Sequence, residues 1–584
     1  MALTNREIAD LFETVADMLQ IKGEVIHRVL AYRNAGAAIR DLPRDLRAIA
    51  AEGTLTEIPN IGDTLAAKIT EMLETGQLQF YEKLAKEVPP SLVQVLRING
   101  VGPKKAKLFW QELGITDVTA LEAAARAGKL RDLSGMGAKS EQKIIEGIES
   151  LNRYTGRTAL GVALPAAQAI LNHLMKLPEA VEGAIAGSIR RGRPTIGDVD
   201  LLIASDNAGP IMDAFVGMEM VARVLGHGPT KSSVELHNGL QVDLRVLEKA
   251  RWGTALNYFT GSQAHNIRMR ELALKKGLSL NEHAFSPVDE SGTIIEDAPK
   301  ILCATEEEVY ATVGLPWIAP ELREDAGEIE AAQEGRLPRL IEISDIRSDL
   351  HMHTTWSDGT LSIRQMAEAA KARGKQFIVI TDHSQYSAIA NGLSVERILQ
   401  QQAEVRQVDR EMGPDFRVFH GVEMDIRSDG SMDYPDEVLA QLDFVVASLH
   451  FSLRQERAVI TRRLLNAIEN PHVDLIGHPR GQLINEREPA DLDMDAVFEA
   501  ARKHGTALEI NANPARLDLE AQYARRAVEL GIPICIDTDA HSAEDMDKLP
   551  FGILTARRGW VTAESVINTW PVEQFIAWTQ NRGR

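Results

Sequence analysis

From residue 346 onward the chain repeats one pattern: a short, nearly unbroken apolar run carrying His, Asp or Glu at its end, then a stretch of helix length. The runs are SDLHMH, FIVITDH, RVFHGVEMDI, FVVASLH, DLIGHP, ALEINAN and PICIDTDAH, seven in all, and six of the seven end in such a residue, ALEINAN being the exception. Strands buried on both faces read as continuous apolar runs, which is the signature of a parallel sheet or barrel covered by helices. In βα barrels functional side chains gather where the strands end. Few other features of a sequence restrict the fold so strongly.

The run ends supply nine ligand candidates: His351, His353 and Asp358, then His383, Glu423, His450, His478, Asp539 and His541. Side chains at i and i+2 of a strand point the same way, so His351 and His353 can face one ion, as can Asp539 and His541. Imidazole mixed with carboxylate and lacking thiolate suits Mn²⁺, Fe²⁺ or Zn²⁺ in a reactive site better than a structural zinc. Two or three such ions can clamp a phosphate and activate water, which is phosphoester hydrolysis. This region resembles the PHP (polymerase and histidinol phosphatase) family, whose motifs DLHMHTTWSDG, ITDH, GVEMDI, ASLH, IGHPRG and DTDAHS follow in order. The resemblance implies a seven-stranded distorted β/α barrel with a trinuclear site, and all nine ligand positions are filled.

Upstream, residues 1–150 read as helices joined by Gly-centred turns, with Ile8, Leu11, Phe12, Val15 and Leu19 at helical spacing. Three segments, IPNIGDTLAAKI, INGVGPKKAKLF and LSGMGAKSEQKI, are helix-hairpin-helix candidates. Their glycines (Gly62; Gly100 and Gly102; Gly135 and Gly137) open helices whose free N–H groups can hold a DNA phosphate without reading sequence. Asn60 stands where the first turn ordinarily has Gly, which predicts a weaker grip there. From about 180 the pattern becomes α+β, with AIAGSI, DVDLLIA and GLQVDLRVL expected as strands. Asp198 and Asp200 then share one strand face, and Asp243 can lie alongside. Three carboxylates so placed suit two Mg²⁺ ions, one acting on a primer 3′-hydroxyl and one on the leaving pyrophosphate. Gly187 and Ser188 offer backbone N–H groups, and Arg191 can grip a phosphate through a bidentate fork.

The stretch AGSIRRGRPTIGDVDLLIA, followed by ALNYFTGSQAHNIRMRELALKKG, resembles the nucleotidyltransferase palm and thumb of bacterial family X DNA polymerases. That resemblance implies nucleotide contacts from Gly187, Ser188, Arg191, Gly197, Tyr258, Phe259, Gly261, Asn266 and Arg270. Gln263 and Gln241 depart from the residues found in relatives. HRVLAYRNAG with IPNIGDTLAAKI resembles the small lyase domain of the vertebrate repair enzyme. It implies a Schiff-base nucleophile at Lys68 and a 5′-phosphate pocket from His27, Arg28 and Tyr32, with Thr64 replacing a pocket lysine. The expected division is a helical lyase-like domain (1–85), a fingers-like helix-hairpin-helix domain (86–155), a palm (156–250), a thumb-like subdomain (251–316), an acidic, proline-flanked linker (317–345) and the PHP domain (346–584).

At 584 residues with a net charge of −20, the chain has room for several cores but no overall basic surface for nucleic acid. The acidity is uneven: residues 1–160 balance 21 basic against 21 acidic groups, while 321–584 carry 29 against 44. Cys303 and Cys535 give no disulfide framework, and the first twenty residues lack a signal peptide's apolar core. The expectation is a monomeric cytoplasmic enzyme, nucleoid-associated, acting on gapped or primed DNA with dNTPs, using Mg²⁺ in the palm and Mn²⁺ or Zn²⁺ in the barrel. The palm is expected to fill short gaps in DNA repair and the barrel to act as a metal-dependent 3′-5′ exonuclease or phosphoesterase on DNA 3′ ends, with abasic-site cleavage a further activity such a barrel can support. A PHP small-molecule phosphatase and a DNA-end scaffold without catalysis are the rival readings.

Overall fold

The computed structural model describes residues 3, 5–40, 46–58, 60–98, 100–155 and 157–580. Two compact units divide the chain at residues 156 and 157.

The first unit is helical among its described residues, as the spacing predicts. Ile8, Phe12, Val15 and Leu19 are buried in one apolar core with Ile69, Met72 and Phe109. Leu11, the fifth member of the predicted stripe, packs against that core from a partly buried position. Each of the three Gly turns opens a helix: Asp63–Thr75, Pro103–Leu113 and Ala138–Thr155. Gly100 and Gly135 adopt left-handed backbone (φ 87° and 74°), and Asn60 takes the equivalent place at φ 66°. Asn is the non-Gly residue best able to occupy that region, so the first turn keeps its shape.

In the second unit a five-stranded sheet contains β1 (Glu182–Ile185), β2 (Asp198–Ala204), β3 (Val221–His227), β4 (Lys231–Leu236) and β5 (Gln241–Leu247), in the order β1-β2-β5-β4-β3. AIAGSI was expected as a strand, but only its first two residues belong to β1. Gly187–Arg190 turn into a short helix instead, because Gly187 supplies left-handed backbone (φ 61°) that breaks the strand. Strands β2 and β5 run parallel in a register that sets Asp200 opposite Asp243 and Asp198 opposite Gln241.

Helices Trp252–Thr260, Gln263–Leu274 and Glu306–Val313 follow, with a small two-stranded hairpin. The stretch 317–345, expected as a linker, folds onto these helices: Ile318, Leu322, Ile329 and Leu340 enter the same apolar core as Met269 and Phe285. Glu306 anchors this region, since its carboxylate accepts from Arg190, Arg323 and Trp317. Burial alone would raise its pKa, but Arg323 and Arg190 hold it down at about 2.

Residues 346–580 form a barrel of β6 (Ser348–Asp349), β7 (Phe377–Ile380), β8 (Arg417–Asp425), β9 (Phe444–Ser448), β10 (Leu475–Gly477), β11 (Ala507–Asn511) and β12 (Ile534–Asp537). All seven pair in parallel and in chain order. A bridge between Met352 and Ala540 brings the ends of the first and last strands together, nearly closing the barrel. Leu350, Val379, Phe444, Val446, Leu475 and Cys535 form one apolar cluster, sealed by Phe575 of the last helix. Both cysteines are buried, and no disulfide joins them.

Candidate metal centre and nucleotide pocket

The nine predicted ligands of the barrel converge. His353, Asp358, His383 and His541 form one group able to hold an ion, His351, His353 and Asp539 a second, and His383, Glu423 and His450 a third. His478 joins through Nε2, which lies 3.0 Å from Glu423 Oε1. The strands explain this: β8 delivers Glu423, and the segments just beyond β6, β7, β9, β10 and β12 deliver the imidazoles and Asp539.

Several ligands are held from behind. His351 Nδ1 lies 2.7 Å from Glu509 Oε1, and His450 Nδ1 lies 2.9 Å from Asp425 Oδ1, so each ring is fixed with Nε2 turned to the cluster. His351 Nε2, His353 Nδ1, His383 Nδ1 and Glu423 Oε2 are buried without an aligned hydrogen-bond partner. Such atoms are costly in an apolar interior, and a set of lone pairs facing one space is what cations would satisfy.

The charges agree with that fit. Burial opposes ionisation of Glu423, yet His450, His383 and His351 hold its carboxyl well below the usual range. Burial, then His541 and His383, push His353 down to about 3, leaving it neutral and fit to ligate. The space is a cavity of about 370 Å³ whose walls include Phe451, Arg487 and Arg516 besides seven of the nine ligands, His351 and His353 not being among its lining residues. Arg516 Nε stands 3.8 Å from Asp539 Oδ2.

Glu509, Asp425, Arg487 and Arg516 escaped the sequence reading. Glu509 had a signal: it is a carboxylate in the middle of ALEINAN, the one run whose end supplies no ligand. The arginines had none, since they lie in loops beyond β10 and β11.

The second site is a cavity of about 630 Å³ lined by Gly187, Ser188, Arg191, Gly197, Asp198, Asp200, Tyr258, Phe259, Gly261, Gln263, Asn266 and Arg270, with Arg157 and Arg193 beside them. Burial first, then Asp198 and Asp243, raise the Asp200 pKa to about 7. Carboxylates this close resist sharing negative charge, so the group fits divalent cations. Asp243 is meanwhile balanced by Lys231 Nζ at 2.8 Å and by the Gln241 amide at 2.9 Å. A Cβ on Gly187 would stand 2.3 Å from Asp200 Oδ2, so only Gly lets the loop close over that carboxylate. Asn266 Nδ2 donates to Tyr258 O at 2.7 Å and pins the YFTGS turn.

In the first unit Lys68 Nζ lies 4.4 Å from the centre of the Phe80 ring. Arg28 covers the same ring, and Tyr32 stacks on it at 5.7 Å. His27 and Arg28 are exposed on the helix Ile26–Arg40, while Tyr32 is buried. Phe80, which gathers this group, was not anticipated.

A barrel whose side chains form groups able to hold metal ions, packed against a sheet that clusters three carboxylates, with helix-hairpin-helix turns upstream, defines the class: a nucleic-acid-processing enzyme with two separate candidate metal centres. Comparison with known proteins narrows it. The helix-hairpin-helix domain family matches residues 3–78, the SAM-like helix-hairpin-helix tandem 93–150, the DNA polymerase beta thumb 255–324 and the PHP domain 349–513. The chain is 40% identical over 565 residues to the DNA polymerase/3′-5′ exonuclease PolX of Bacillus subtilis (strain 168), covering 96% of this chain and 97% of that one. It is 26% identical over 343 residues to DNA polymerase lambda of Rattus norvegicus, covering 55% and 56% of the two chains. A probable phosphatase of Thermoanaerobacter sp. (strain X514) is 30% identical over 235 residues, 38% of this chain and 89% of its own. The chain belongs to the bacterial family X DNA polymerases that carry a PHP domain.

Proposed function

We propose that this chain fills short gaps in DNA with its palm and trims 3′ ends with its barrel, as a monomer acting at the nucleoid in the cytoplasm. The observation that carries the first half is the parallel register that stands Asp243 beside Asp200, with Asp198 two residues away on the same face. Gly187 and Ser188 present backbone N–H groups, Arg191 and Arg193 present charge to a triphosphate, and Tyr258, Phe259 and Asn266 shape the space for sugar and base. The barrel ligands that line the cavity, with Arg487 and Arg516 beside them, orient a phosphodiester for attack by water. Bound divalent cations, Mg²⁺ in the palm and two or three Mn²⁺ or Zn²⁺ in the barrel, supply nucleophile activation and charge neutralisation.

The test is a separation of activities on a gapped duplex. Asp243→Ala should abolish nucleotide addition, by at least about a thousand-fold, while strand trimming in Mn²⁺ continues; His353→Ala should do the reverse. Near wild-type extension by Asp243→Ala sinks the palm assignment. Hydrolysis of small phosphate esters with DNA left uncut favours a phosphatase role for the barrel. A second reading, 5′-deoxyribose-phosphate lyase activity at Lys68, is favoured by the cationic and aromatic setting of that amine.

A further inference from the structure

We propose that Arg558, on the barrel helix Leu549–Arg558, acts through Glu324 as a positioning residue for Arg191, so that nucleotide capture by the palm depends on the docked barrel. This rests on the reading of Arg191 as a triphosphate ligand.

Arg191 lines the palm cavity at the end of the GSIRR turn. Two acceptors hold its guanidinium: Nη1 donates to Thr260 O at 2.5 Å and Nε donates to Glu324 Oε1 at 3.1 Å. Nη2 stands outside these two bonds. The same Glu324 Oε1 accepts from Arg558 Nη1 at 2.9 Å, and that Nη1 also donates to the main-chain O of Arg191 at 2.5 Å. Arg558 is 10% exposed, Arg191 14% and Glu324 22%. One carboxylate therefore bridges two guanidiniums in a largely dry setting, with the more exposed Arg193 Nη1 3.7 Å from the same oxygen. Leu554, one turn earlier on the barrel helix, stands 3.3 Å from where a Cβ at Gly192 would lie. The turn that carries Arg191 is thus covered by the barrel.

Two physical consequences follow. An arginine side chain has many rotamers, and one already oriented by fixed acceptors loses less freedom when it grips a phosphate. A carboxylate beside a triphosphate repels it unless balanced, and Arg558 supplies a second positive charge against Glu324. Removing Arg558 loosens Arg191 and leaves that carboxylate with only the more exposed Arg193, at 3.7 Å, as a second cation. Both effects weaken nucleotide binding, while the reacting carboxylates stay in place.

The experiment is steady-state gap filling with the full-length protein loaded with Mg²⁺, alongside exonuclease rates in Mn²⁺. Arg558→Ala should raise the dNTP KM about ten-fold with kcat changed less than about three-fold, and exonuclease rates should match wild type. Arg558→Lys keeps the charge but cannot reach both acceptors, so its KM should fall between. Adding Glu324→Gln to Arg558→Ala removes the exposed charge and should recover part of the lost KM; a purely structural defect would not recover. An unchanged KM in Arg558→Ala overturns the proposal. So does a parallel loss of kcat, exonuclease activity and thermal stability, which would mark Arg558 as a packing residue. If wild-type protein adds no nucleotide at all, the underlying polymerase reading fails instead.

Discussion

Lys68 is where a single residue's surroundings change what its sequence position implies. An amine is a nucleophile only when deprotonated, and the Lys68 pKa is lowered by burial and by the neighbouring Arg28 and Lys83, with Glu71 working the other way. Borohydride should therefore trap a covalent adduct between the protein and a 5′-deoxyribose-phosphate end, and Lys68→Ala should lose at least about nine-tenths of it. Equal trapping by the variant places the nucleophile elsewhere. The rule that i and i+2 share a strand face made Asp198 and Asp200 legible in the sequence, and the GSIRRG motif made Arg191 so. It did not reveal Phe80, which meets Lys68 only through the packing of separate helices. Nor did it show that Lys231 and Gln241, on neighbouring positions of the sheet, would balance Asp243.

At the scale of elements, the three helix-hairpin-helix turns separate fold from grip. Nothing lies within 4 Å of a Cβ built on Gly102, and its backbone, at φ −94° and ψ 174°, is open to any residue. Its smallness therefore serves no internal packing and leaves room for a phosphate to approach the N–H groups that open Pro103–Leu113. Gly102→Val should shift the thermal midpoint by only about 2–4 °C. It should nevertheless weaken binding to a gapped duplex several-fold, with a shallower salt dependence, as measured by titration at two salt concentrations. Unchanged affinity would mean that this turn is architecture alone. The helices were legible because turn glycines and 3.6-residue spacing are local signals. Two elements were not. AIAGSI reads as apolar β sequence, yet positive φ at Gly187 folds half of it into a helical turn. Acid-rich 317–345 reads as a linker, yet Glu321 and Glu324 are paired with Arg557 and Arg558, and its apolar residues fill a core.

For the molecule as a whole, the barrel was the most legible part, because seven repeats state the same strand and six of them the same chemistry. The joint between barrel and palm was illegible, since it is made by residues scattered over loops and one helix. Leu517 is buried in the palm's own apolar cluster, and Ile484, Phe551 and Leu554 pack against it. Asn485 Nδ2 donates to Arg157 O at 3.0 Å, and Arg557 pairs with Glu321. Ile484 and Asn485 share a loop with Arg487, and Leu517 follows Arg516, so the loops that wall the metal cavity are the loops that touch the palm. A ligand that binds only the folded barrel stabilises whatever unfolds with it, by about 2.7 kcal/mol at a hundred times its Kd. With Asp198 and Asp200 replaced by Asn, so that the palm loses its own cation site and the barrel alone takes up the ion, saturating Mn²⁺ should therefore slow hydrogen exchange in the palm strands β2 and β5 as well as in the barrel. His353→Ala, with its metal attachment broken, should show neither gain. Protection confined to residues 346–580 would show that barrel and palm open independently despite their shared core.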